Sequence, residues 1–160
     1  MRGKHTPIKF HPRIYEASIF YGTIEDRGSE VDIYYDLNRN FCWKRFVCAK
    51  ELCHLLYHVE DDLHLTSSVE AIDSLMSQIL AGVIADQPAT SEQAAIVMAI
   101  EVLLPYSERK SVNGMISKGG VMEIAKHYRL PAQMVPVYLS HTYTTLAEEA
   151  TKALDYSPKE

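Results

Sequence analysis

The chain has 160 residues, of which 47% are hydrophobic, and this suits a single compact domain with a substantial core. Its 16 Lys and Arg residues against 21 Asp and Glu residues give a net charge of −5, which argues against broad electrostatic binding to nucleic acid or to an anionic membrane. The sequence predicts neither a membrane span nor a signal peptide, because it contains no long apolar run and residues 1–12 lack an apolar core.

The first predicted elements form a β-hairpin. Residues 1–12 contain two prolines and no periodicity, so we predict an irregular segment. β-Branched and aromatic residues over 13–23 and alternating apolar residues over 30–37 predict two strands, with a polar turn signal at 25–29 between them.

A helix over residues 40–59 is the central predicted element, and Asp36, Asn38 or Asn40 can cap it. At 100° per residue one side forms an apolar stripe that we expect to be buried, made of Cys48, Leu52, Leu55, Leu56 and Val59. The opposite side carries polar residues, namely Lys50, Glu51, His54 and His58. The pattern therefore predicts a central helix with a polar site on its other face.

The second half of the chain is predicted to be helical. One helix begins at Thr66, Ser67 or Ser68, and the next is capped by Ser91 and ends before Pro105. Their apolar positions are Ile72, Leu75, Met76, Ile79 and Leu80, then Ala95, Ile96, Ala99, Val102 and Leu103. Shorter helical segments are predicted over 108–118, over 121–128, after Pro131 and over about 138–154.

These elements predict the α+β class, with a small antiparallel β-sheet packed on the central helix and several further helices around it. A single domain is expected over residues 13–156, followed by a frayed tail at 157–160. The odd number of cysteines favours buried thiols in a reducing, cytoplasmic protein, and Cys48 and Cys53 point to different sides of the helix.

The pentad Lys50-Glu51-Leu52-Cys53-His54 has the spacing of the H-E-x-x-H motif, except that its first residue is Lys. In that motif two His residues one turn apart hold zinc, and the Glu polarises the water bound to the metal. Lys is a poor substitute, because its ammonium has no lone pair at neutral pH. His58, four residues after His54, is geometrically able to rescue the ligand set.

Three segments together resemble one known family. The first comprises Ile33-Tyr34-Tyr35-Asp36, Arg45-Phe46 and residues 49–56; the second is 92–105, and the third is 121–130. This family is the ImmA/IrrE metallopeptidases, which are gluzincin-like. The first segment is similar to the family's strand followed by its R-F and A-H-E-L-G-H-L-L motifs. The second is similar to its E-x-x-A-N-x-F-A-x-x-L-L-M-P helix, and the third to the helical pair that follows.

The resemblance implies a zincin-like central helix and assigns roles to individual residues. His54 and Glu92 stand at zinc-ligand positions, and Glu51 stands at the general-base position. The sequence departs from the family pattern at Lys50, which replaces a zinc-binding His, at Cys53, which replaces Gly, and at Ile96, which replaces Asn. The first departure removes a ligand that the peptidase reaction needs.

Because a catalytic zinc site needs three protein ligands and a water, we expect the Lys50 ammonium to replace the metal and to pair with Glu92, Glu51 or both. The protein is then a catalytically inactive or altered metallopeptidase-like protein without a cofactor. Its expected role is regulatory or in protein interaction, with a protein or peptide partner such as a repressor and with no membrane or nucleic acid.

Three alternatives stay open at this point. The protein could be an active zinc-dependent endopeptidase with non-standard ligands that include His58. Lys50 could equally be a solvated surface lysine with no site around it. The helical pair at 121–139 could make the protein a DNA-binding regulator, although its outward bases are only Lys126, His127 and Arg129.

Overall fold

The computed structural model describes residues 6–15, 20–55, 67–82 and 87–155. Within these ranges the strands are β1 (Ile8–Arg13), β2 (Phe20–Asp26), β3 (Val31–Asp36) and β4 (Ser67–Ser68). The helices are α1 (Phe41–His54), α2 (Val69–Ala81), α3 (Gln87–Leu103), α4 (Arg109–Tyr128), α5 (Met134–Leu139) and α6 (His141–Asp155). The predicted α+β class is confirmed, and none of the described helices is long and apolar enough to cross a membrane.

The sheet is mixed, whereas the sequence predicted an antiparallel one. Its strand order is β1-β3-β2-β4, in which β2 and β3 form the predicted antiparallel hairpin and β1 pairs with β3 in parallel. The predicted strand over residues 13–23 is divided, since Arg13 ends β1 and Phe20 begins β2.

The prediction that residues 1–12 are irregular is wrong from Ile8 onward, because Pro7 precedes β1 and Pro12 is compatible with an edge strand. Val31 N donates to Pro7 O at 3.0 Å, and Leu37 N donates to Arg13 O at 2.8 Å. Since alternate residues of a strand face the same neighbour, odd-numbered residues of β1 bond to β3. The nitrogen of Pro12 therefore points away from the sheet, where the absence of an N–H breaks no ladder bond.

Helix α1 begins after Asn40, whose Oδ1 accepts a hydrogen bond from Trp43 N at 3.1 Å. Asn40 is thus the cap among the three predicted candidates. The helix ends at His54, and the predicted continuation over residues 56–59 lies outside the described residues.

The prediction that the apolar stripe is the most deeply buried face of α1 is wrong. Cys48, Leu52 and Leu55 are only partly buried, against a small cluster formed by the hairpin residues Ile24, Val31 and Ile33, and Leu56 and Val59 are outside the described residues. The fully covered positions of α1 include Phe46, Val47, Lys50 and Glu51. The helix lies between the sheet and α3, so both of its faces are covered. A helical wheel that assumes one buried face cannot show which of the two is more deeply buried.

The prediction that Ser91 caps the third helix is also wrong, because α3 begins at Gln87 and Pro88 occupies its first turn. Proline is accepted there since the first N–H groups of a helix have no partner within it. Val102, predicted on the inner face, is 63% exposed, while Ile100 is buried. Likewise Leu80 of α2 is 48% exposed.

The C-terminal helices follow the predicted breaks with one shift. Gly120 interrupts α4 with φ 64° and ψ −153°, which only glycine adopts easily, and this is the predicted break. The last helix begins at His141 instead of about 138, because Ser140 Oγ accepts from Tyr143 N at 3.1 Å and starts a new helix there. Arg45 Nη1 of α1 donates to Tyr128 O at 2.6 Å and so joins α1 to the end of α4.

Candidate functional site

The polar residues predicted as a site lie where α1 and α3 pack against each other. Lys50 and Glu51 occupy the middle of α1, His54 is its last residue, and Glu92 projects from the second turn of α3. Lys50 and Glu51 are 0% exposed and Glu92 is 7% exposed. The alternative of a solvated surface lysine is therefore wrong.

Four side chains form one ion cluster, which we call the Lys50 cluster: Lys50, Glu51, His54 and Glu92. Lys50 Nζ donates to Glu92 Oε2 at 2.9 Å and lies 3.0 Å from Glu51 Oε1. His54 Nε2 lies 3.0 Å from Glu92 Oε1. The expected approach of His54 to Glu92, and that of Lys50 to both carboxylates, are both present.

The carboxylate of Glu92 is ionised and faces the ring of His54. Burial would raise the pKa of Glu92, but the hydrogen bond from His54 and the charge of Lys50 lower it to about 2, so the group is ionised at neutral pH. An ionised carboxylate only accepts hydrogen bonds, so the tautomer of His54 with its proton on Nε2 suits the 3.0 Å contact with Glu92. The same nitrogen lies 3.4 Å from Lys50 Nζ, and the donor and acceptor roles in that contact depend on the tautomer.

Lys50 itself stays protonated in this environment. Burial lowers the pKa of a lysine, but the charges of Glu51 and Glu92 outweigh it here and raise the pKa above its ordinary value. The ammonium cannot supply a lone pair to a metal. It is a fixed cation between two carboxylates.

Glu51, at the general-base position, is less well satisfied than Glu92. Its Oε1 lies at ion-pair distance from Lys50 without hydrogen-bond alignment, and its Oε2 has no hydrogen-bond partner among the described residues. Burial raises the pKa of Glu51, and the charge of Lys50 opposes that effect. The Lys50 ammonium therefore stabilises the charge of Glu92 more than that of Glu51.

Gly22 of β2 brings the sheet close to this cluster and is not among the predicted site residues. A Cβ atom at this position would lie 2.2 Å from Val47 Cγ1, 2.9 Å from Tyr34 O and 3.4 Å from Glu51 Oε1. Only glycine allows this approach of β2 to α1 without a shift. The available signal was an isolated glycine inside a strand pattern, which often marks a close backbone approach.

The side chains present do not fit a zinc ion. Among the described residues no group of three His, Cys, Asp or Glu side chains is placed to hold a metal, and His58 lies outside them. A dication between Glu92 and Glu51 would meet the Lys50 ammonium, and ligation by His54 would require its Nε2 proton to leave.

The neighbouring cysteines do not complete a ligand set. All three cysteines are free thiols, as expected, although Cys53 alone is fully buried. Burial and the charge of Glu51 raise the pKa of Cys48 to about 11, and burial also raises that of Cys53. Both thiols therefore stay protonated, whereas a metal takes the thiolate.

A small sheet packs on the helix that carries the altered H-E-x-x-H motif, and Glu92 from a second helix faces that motif. This arrangement defines a metallopeptidase-like domain. The profile of the Peptidase_M78 family, described as the IrrE N-terminal-like domain, matches residues 43–140, which is more than half of the chain. The chain belongs to this family. A search of curated proteins finds no match to it.

We expect Glu92→Gln to flatten the acid limb of the stability curve. The pKa of Glu92 is about 2 in the folded protein, against an ordinary value of 4.5. The ionised carboxylate therefore contributes fully to the free energy of unfolding above pH 4.5, and this contribution is lost as the pH falls toward 2. That contribution is about 3 kcal/mol. Urea unfolding at a series of pH values measures it, with the exposed Glu123→Gln as control. Equal pH slopes for Glu92→Gln and the natural protein would contradict the assignment.

Proposed function

We propose that this chain is a metallopeptidase-like protein in which Lys50 replaces the metal, so that the domain acts by binding another protein instead of hydrolysing it. The observation that carries the proposal is the position of Lys50 Nζ, at 2.9 Å from Glu92 and 3.0 Å from Glu51 with no exposure to solvent. A protonated amine there compensates the carboxylates that a metalloenzyme would use around zinc.

The geometry of the Lys50 cluster supports a structural role for it. Catalytic zinc sites keep one coordination position open to water or substrate. Lys50 and Glu51 are instead fully covered, and the contacts of Glu92 link α1 to α3. The cluster therefore fixes two helices of the core, and the protein surface is left for partner recognition, with a regulatory protein such as a repressor as the expected partner.

The second candidate function, a zinc-dependent endopeptidase with unusual ligands, is favoured by one observation. His54 and Glu92 remain in contact at 3.0 Å, so two inherited ligand positions still meet. This function requires Lys50 to leave the cluster and a third ligand such as His58 to enter.

The DNA-binding hypothesis has less support from the packing of the helical pair. Four of the six residues of α5, the second helix of that pair, are buried: Met134, Val135, Val137 and Tyr138. A recognition helix must present side chains to the groove of DNA. The remaining outward positions of α5 include Pro136, which offers no polar group to a base.

The metal content of the protein purified without added zinc separates the first two functions. We expect no stoichiometric zinc by elemental analysis, no rise in melting temperature when zinc is added and no fall on adding a chelator, because a ligand that binds the folded state would stabilise it by mass action. Stoichiometric zinc, together with peptide hydrolysis that Glu51→Gln abolishes, would establish the endopeptidase instead.

A further inference from the structure

Among the described residues, strand β1 is an edge of the sheet, and none of them bonds to the outward backbone groups of Ile8 and Phe10. In the described part of the chain it pairs only with β3, through its odd-numbered residues. The N–H and C=O groups of Ile8 and Phe10 consequently point away from the sheet. An edge of this kind is a template for an additional strand.

The apolar side chains of β1 extend the inner face of the sheet beyond the helix that covers it. Ile8 pairs in register with Val31, and Phe10 pairs with Ile33. Val31 and Ile33 are buried beneath α1, which lies over β2 and β3, but Ile8 is 41% exposed and Phe10 is 48% exposed. An added strand with apolar residues on this side would cover both.

The other face of β1 is basic. Lys9, His11 and Arg13 alternate with the apolar residues, and the side chain of Lys9 is 53% exposed. The acidic partners of Lys9 and His11 are Glu30 and Asp32, which lie on the side of β3. In the described part of the chain, the outer side of this row is thus open to acidic groups from an added strand.

The same charges disfavour a second copy of this chain at the edge. If two β1 strands paired in antiparallel with Ile8 opposite Phe10, the two Lys9 residues would face each other. Shifting the register so that Phe10 faces its counterpart would set Ile8 against Pro12, which lacks an N–H. Like charges directly opposite each other destabilise a strand pair.

We propose that β1 binds an extended segment of a partner protein in which apolar residues alternate with acidic ones. The segment adds a strand next to Ile8 and Phe10, its apolar side chains cover these two residues, and its carboxylates lie beside Lys9 and Arg13. This inference rests on the proposed protein-binding role but not on the state of the Lys50 cluster. A metal analysis can therefore overturn the role of Lys50 without affecting this inference, and a peptide titration can overturn this inference without affecting the role of Lys50.

The test uses two capped synthetic peptides, Val-Glu-Val-Glu-Val-Glu and Val-Lys-Val-Lys-Val-Lys, titrated into the full chain and followed by amide NMR. We expect the glutamate peptide to bind about tenfold more tightly, which corresponds to about 1.4 kcal/mol. The amides of Ile8 and Phe10 should shift and become protected from hydrogen exchange. Binding of both peptides with equal affinity, or shifts located elsewhere, would overturn the proposal.

Two matched pairs of variants separate backbone pairing from other effects. Ile8→Pro removes an outward N–H without touching the ladder to β3 and should weaken peptide binding more than Ile8→Ala, which keeps the N–H. Lys9→Gln should reduce the preference for the glutamate peptide, whereas Lys118→Gln on α4 should not. Equal binding by Ile8→Pro and Ile8→Ala, or a dimer in sedimentation that only Ile8→Pro abolishes, would contradict a partner strand at this edge.

Discussion

Lys50→His is expected to create a zinc site where the natural protein has an ion cluster. An imidazole at position 50 lies one helical turn before His54 and on the same face, and Glu92 already contacts His54 at 3.0 Å. Three ligands of the right type would then converge, which is the number that a catalytic zinc site takes from the protein.

Zinc at 100 times its dissociation constant should stabilise this variant by about 2.7 kcal/mol. For a domain of this size the melting temperature should rise by about 5–10 °C. The measurement is a thermal unfolding series with and without zinc, accompanied by elemental analysis.

Two controls define what the zinc effect of Lys50→His means. Adding His54→Ala to Lys50→His should abolish the zinc-dependent shift, because only two ligand positions remain. Lys118→His, an exposed site on α4, should show no shift and so accounts for adventitious binding. A rise no larger than that of Lys118→His would show that Glu92 and His54 do not keep a metal-binding geometry.

Lys50→Met is expected to be among the most destabilising single substitutions in the chain. It removes the ammonium between Glu92 and Glu51 but leaves both carboxylates buried, with His54 still in contact with Glu92. Breaking a buried ion pair by removing one partner costs about 3–5 kcal/mol, which is a large part of the total stability of a typical domain. Urea unfolding at neutral pH measures the loss, and the loss should shrink as pH falls because protonation removes the unpaired negative charge.

Further substitutions test whether charge or packing causes the effect of Lys50→Met. Lys50→Met combined with Glu51→Leu and Glu92→Leu should recover most of the loss, because replacing all charged partners by apolar groups is often neutral or stabilising. Lys118→Met should change the free energy of unfolding by less than about 0.5 kcal/mol. If Lys50→Met cost less than about 1 kcal/mol, the ammonium would not be compensating buried carboxylates.

The Lys50 cluster could be anticipated because its geometry is mostly local. Lys50 and His54 are one turn apart on any helix, and the family resemblance supplied Glu92 as their partner in another helix. The unequal satisfaction of Glu51 could not be anticipated in the same way. It depends on the direction of a single ammonium between two carboxylates and on the approach of β2 at Gly22, and both arise from the packing of separate elements.

The sequence by itself determined those features whose physical cause lies within a few residues. The β2–β3 hairpin follows from strand patterns on either side of a polar turn, the start of α1 follows from the Asn40 side chain, and the interruption of α4 follows from Gly120. Each cause acts over one turn or one loop, so that no distant contact is needed to produce it.

Only the tertiary structure decided which surfaces are inside and which strands are neighbours. Helix α1 is covered by the sheet on one side and by α3 on the other, so the partly polar face with Lys50 became the more deeply buried one. Strand β1 pairs in parallel with β3 although it contains Pro12, because only its odd-numbered residues need to bond there. Both outcomes depend on contacts between residues far apart in the chain, which local patterns do not encode.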